Sequence, residues 1–92
     1  MDFEIITAEY VSEYKVRLKF MDGSSGIADL SSYVDKTNVF KAFQNISYFK
    51  NFKIEYGTLV WGNGELDIAP ETLYEKATGK KVRYLLQDRK IS

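Results

Sequence analysis

Two residue types that carry much of protein chemistry are missing from this chain: it has no cysteine and no histidine. Without Cys there are no disulfides and no thiolate metal sites. Without His the chain lacks the usual general base near neutral pH, the commonest metal ligand and every Ser-His or Cys-His nucleophile pair. Zinc catalysis would need an all-carboxylate site, which zinc rarely uses. A carboxylate pair, a perturbed Lys or a Mg²⁺ site are the chemistries left. The reading therefore leans against an enzyme, with no catalytic residues, cofactor or metal ligands assigned.

Long apolar runs are also lacking, and no stretch approaches the ~18 residues of a membrane span. The start, Met1-Asp2-Phe3-Glu4, is acidic and has neither the basic nor the apolar segment of a signal peptide. The expectation is a soluble, cytoplasmic protein. Proline and tryptophan each occur once, at Pro70 and Trp61, and both fall within Trp61–Glu75.

What is present is enough for one small domain. The chain has 92 residues, of which 45% are hydrophobic, and its seven Tyr and six Phe bring large buried areas at low count. The net charge of zero hides a split. Residues 1–79 hold eight Lys/Arg against twelve Asp/Glu, a net of −4, and residues 80–92 hold five against one, a net of +4. An acidic domain over 1–79 is followed by a basic tail over 80–92 that carries Lys80, Lys81, Arg83, Arg89 and Lys90.

Residues 3–10 read as a strand, and Val16, Leu18 and Phe20 alternate with Lys15, Arg17 and Lys19, the period of a half-buried antiparallel strand. Asp22-Gly23 supplies turn chemistry, and a third strand follows through Gly26–Leu30, completing a meander. Thr37 or Asn38 can cap a short helix through Val39–Phe43, with Phe40 and Phe43 on one face, and Ser47 can cap a second turn carrying Tyr48 and Phe49. Phe52, Ile54 and Tyr56 then alternate with Lys53 and Glu55. Leu59–Trp61 and Glu65–Ile68 form a hairpin about Asn63-Gly64. Pro70 suits the first position of a helix, Glu71 complements its dipole, and Gly79 suits its end. Ala69 is a poor cap, so Asp67 or a backbone turn has to satisfy the free amides. The expected fold is α+β: a small antiparallel sheet of five to six strands, N-terminal meander plus C-terminal hairpin, with short helices on one face.

The order of these elements and the Trp61-x-Asn63-Gly64…Pro70-x-x-Leu73-Tyr74 segment resemble the bacterial DUF2442 family over roughly residues 3–77. The resemblance implies a small α+β domain without an established activity. Some members carry a helix-turn-helix domain after the module, for which the thirteen residues beyond Gly79 are too few. Many are encoded beside another small protein, an arrangement that resembles toxin–antitoxin pairs. Gly62 stands where relatives often have Pro, a change expected to loosen the turn without altering it.

Within the motif, Trp61, Asn63, Gly64, Pro70 and Leu73 are read as architecture, with Trp61 and Leu73 in the core. The candidate interaction surface is Tyr74 with the acidic residues Glu65, Asp67, Glu71 and Glu75, together with the basic tail. Glu71 and Glu75, four apart, share a helix face. Their spacing does not match a calcium loop, and a solvated face is the simpler reading. The expected function is a non-enzymatic protein-interaction module, the antitoxin-like half of a two-gene pair. The alternative is a nucleic-acid-associated regulator that contacts phosphate through the tail. A homodimer through an exposed edge strand stays open.

Overall fold

A computed structural model describes residues 3–34 and 40–81. Six strands and two α-helices make an α+β fold. The strands are β1 (Ile5–Ser12), β2 (Lys15–Phe20), β3 (Ser25–Asp29), β4 (Lys53–Glu55), β5 (Thr58–Trp61) and β6 (Leu66–Ile68). The helices are α1 (Ile46–Lys50) and α2 (Pro70–Thr78), with single 3₁₀ turns at Ser31–Tyr33 and Lys41–Gln44.

The strands divide into two antiparallel sheets of three, ordered β1-β2-β3 and β4-β5-β6. The sheets meet where the Ile5 amide donates to the Gly57 carbonyl at 2.9 Å. Immediately beyond Ile5 the β1–β2 register shifts. Such an irregularity bends a strand and interrupts its ladder, so the contact does not extend into a continuous six-stranded sheet.

In the first sheet, Val16, Leu18 and Phe20 of β2 are fully buried, while Arg17 and Lys19 between them are exposed. The alternation puts one face into the core and the other into water. Helix α2 lies against the core side of β3. There a Cβ added at Gly26 would come within 2.0 Å of the Ala77 carbonyl oxygen, so only glycine permits this approach. Pro70 opens α2 and Gly79 closes it, its N–H donating to the Glu75 carbonyl at 2.8 Å. No side chain caps the start at Ala69, and Asp67 does not take that role.

The two sheets share one core. Phe43 and Phe49 stand 4.7 and 5.9 Å from the Trp61 ring, and Phe49 is 4.9 Å from Tyr14. Phe40 and Phe43 do share a face, 5.2 Å apart, in the 3₁₀ turn; the proposed caps Thr37 and Asn38 lie outside the described residues. Helix α1 is capped by Asn45, not by Ser47. The Asn45 side chain accepts from the amides of Ser47 and Tyr48 at 3.0 and 3.3 Å, which leaves Ser47 inside the first turn.

The β5–β6 hairpin also differs in detail from the expected turn. Trp61 pairs with Leu66 across four loop residues. Gly62, Asn63 and Gly64 have φ of 60°, 58° and 92°, and successive bonds run from Gly64 N–H to Trp61 O and from Glu65 N–H to Gly62 O. Gly62 and Asn63 are thus the central pair of the first tight turn. Proline is locked near −65° and cannot adopt the φ of Gly62, so the turn in this chain is closed to it.

Candidate interaction surface

The motif residues sort by burial. Trp61 is 1% exposed, and its indole N–H donates to the Phe49 carbonyl at 2.8 Å. Leu73 is fully buried. Asn63 and Gly64 are exposed in the turn, and Pro70 is half-buried at the helix start. These placements are architectural.

Tyr74 leaves the surface set. It is 5% exposed, its ring 4.9 Å from both Phe3 and Phe20. Its hydroxyl donates to Asp22 Oδ2 at 2.7 Å and lies 3.3 Å from the Ser24 hydroxyl. The phenol therefore ties α2 to the β2–β3 turn. The Asp22 carboxyl is held below its ordinary value, first by the Ser24 amide and then by the Tyr74 hydroxyl, both of which bond its charged form.

The acidic residues are spread over three parts of the fold. Glu65, Asp67 and Glu71 are exposed and Glu75 is half-buried, on separate parts of the turn, β6 and α2. Among the described residues, no group of carboxylates is arranged to hold a metal ion. Glu65 lies near Tyr48, whose phenol is pushed up by burial and, secondly, by this carboxylate. Of the tail, Lys80 and Lys81 are exposed, whereas Arg83, Arg89 and Lys90 lie outside the described residues.

The outer face of the first sheet carries Lys15, Arg17 and Lys19, but Arg17 is matched by Glu9 at 2.8 Å and Lys15 by Glu13 at 3.4 Å. Two of its three cations are thus matched by neighbouring carboxylates.

The outer face of the second sheet is different. Leu59 and Trp61 point into the common core, so Thr58 and Val60 of the same strand face away from it. Val60 is only 7% exposed yet does not belong to the core cluster. Lys53 and Asp67 flank it across the two ladders, and Glu55 stands opposite Thr58. Two adjoining hollows open over this strand. One, about 180 Å³, is lined by Asn51, Lys53, Glu55, Val60 and the Gly62–Gly64 turn. The other, about 150 Å³, is lined by Glu55, Tyr56, Thr58, Val60, Gly64 and Asp67.

Tyr56 was expected among the apolar positions of a strand, and the structure corrects that placement. Glu55 pairs with Thr58, which leaves Tyr56 and Gly57 as a two-residue turn with φ of 53° and 78°. This puts the ring at the sheet's edge, 99% exposed. Left-handed backbone costs a non-glycine residue roughly 1–2 kcal/mol, and tyrosine has no local hydrogen bond to offset it. The turn is nonetheless pinned, because the Gly57 carbonyl accepts from Ile5, and a Cβ added at Gly57 would come within 2.8 Å of the Glu4 side chain. A sequence signal existed: Gly57 directly after Tyr56, between two β-rich runs, marks a tight turn.

The family model described as "Protein of unknown function (DUF2442)" matches residues 5–79, and the chain belongs to that family. No curated protein and no solved structure matches it.

Proposed function

We propose that this DUF2442-family chain is a non-enzymatic protein-interaction module, the antitoxin-like half of a two-gene pair, and that it engages its partner through the outer face of the second sheet. The observation that carries the reading is Tyr56, fully exposed on a pinned turn that asparagine or glycine would suit better. Exposed tyrosines anchor interfaces because one rigid ring brings large area and a polar tip at small entropic cost. A turn held by the first sheet fixes the backbone that carries the ring, which lowers part of the cost of binding. The adjoining hollows give the face concavity, and Val60 gives it an apolar floor.

The test is co-expression with the product of the neighbouring gene. The two proteins should co-purify, and Tyr56→Asn should abolish co-purification while the variant stays folded. Rescue of growth on co-expression supports the antitoxin role specifically. A neighbour that never binds, or that binds Tyr56→Asn as well as the parent, defeats the proposal. The nucleic-acid alternative rests on the tail, of which only Lys80 and Lys81 are described, and no structural observation favours it.

A further inference from the structure

We infer that the hollow between Tyr56 and Asp67 receives an arginine side chain of the partner protein, an inference that rests on the interaction-module reading above. The hollow's lining includes two carboxylates, Glu55 and Asp67, and no cation. Neither carboxylate makes an ion pair among the described residues, and Lys53 lines only the neighbouring hollow. The site is thus negative, concave and floored by Val60, with Tyr56 among the residues that border it.

That combination distinguishes one cation from another. A guanidinium is flat, weakly hydrated and stacks on aromatic faces, and its fork of N–H donors matches carboxylates. An ammonium is compact and strongly hydrated, so covering Val60 with it would sacrifice more solvation. A volume of about 150 Å³ is of the order that holds a benzene-sized group, and a guanidinium is planar and of similar breadth. Thr58 adds no competing donor: its hydroxyl hydrogen is already given to the Ile68 carbonyl.

The test uses three capped pentapeptides, Gly-Leu-Arg-Leu-Gly and its versions with Lys or Glu at the centre, titrated into the full chain while amide chemical shifts are followed. The arginine peptide should shift Glu55, Tyr56, Thr58, Val60, Gly64 and Asp67. It should bind about threefold more tightly than the lysine peptide, the ratio expected of a stacked guanidinium at an exposed ring. The glutamate peptide should produce no shift at this face. Glu55→Gln with Asp67→Asn should weaken the arginine peptide about fivefold, as two exposed ion pairs imply, and leave the melting temperature unchanged. Absence of shifts at this face up to about 10 mM peptide, or equal binding of the lysine or glutamate peptide, overturns the inference. Co-purification separates the two failures. If Tyr56→Asn abolishes complex formation and the arginine peptide still does not bind, the module stands and only the arginine assignment falls.

Discussion

Replacing Trp61 by alanine removes the largest fully buried side chain in the described core. The indole packs between Phe43 and Phe49, with Phe52 at 6.3 Å, so the surrounding rings cannot collapse into the space without abandoning one another. A buried Trp→Ala change costs about 3–5 kcal/mol in transfer and cavity terms. Here the Phe49 carbonyl also loses its buried donor, which adds a penalty of about 1–3 kcal/mol when no water replaces it. The expected loss is therefore about 5 kcal/mol, comparable to the whole stability of many domains of this size. Trp61→Phe keeps a ring against Phe43 and should lose about half as much. Urea unfolding followed by far-ultraviolet circular dichroism suits every variant, since the chain has no other Trp to report by fluorescence. An alanine variant within about 1 kcal/mol of the parent, with an unchanged denaturant slope, would refute the core placement of this ring.

Other consequences follow from single contacts. Gly26→Ala should cost at least about 2 kcal/mol in thermal melts because the new methyl meets the Ala77 carbonyl; since that contact is with backbone, Ala77→Gly should not rescue it. Asp22 titrates below its ordinary value, so its contribution is fully present above the unfolded carboxylate pKa of about 3.9 and is lost as pH falls through the lowered folded value. Asp22→Asn should flatten that acid limb in stability measured against pH. Tyr56→Asn should raise the melting temperature by a few degrees, since relief of about 1 kcal/mol of left-handed strain corresponds to roughly 4–8 °C in a small domain; a clear fall would show that the ring has a structural role.

The parts of this fold that were legible in the sequence are those set by local chemistry. The alternation of β2, the Pro70 start and the Gly79 end each follow from a few adjacent residues and appear where expected. Long-range geometry was not legible. Neither the division into two sheets nor the register shift after Ile5 is marked by a motif. The burial of Tyr74 depends on Phe3 and Phe20, distant in sequence, closing around it. Tyr56 was misplaced because strand periodicity continues smoothly through it, whereas the two-residue connection forces it into the turn at the expense of a favoured φ. The spread of Glu65, Asp67, Glu71 and Glu75 over the turn, β6 and α2 was hidden for a similar reason: nearness along the chain says nothing of the change of direction between β6 and α2. Asp67 lies beside Val60 because the β5–β6 ladder sets it there, a neighbour seven residues away in the chain.

The central claim is that the Tyr56 face binds a protein. The most direct test is the affinity of the neighbouring gene's product for the parent chain and for Tyr56→Asn, measured by calorimetry on folded proteins. An anchor of the hot-spot class contributes about 2 kcal/mol or more, so the account predicts a loss of about thirtyfold or greater. Equal affinities for the two chains would contradict it.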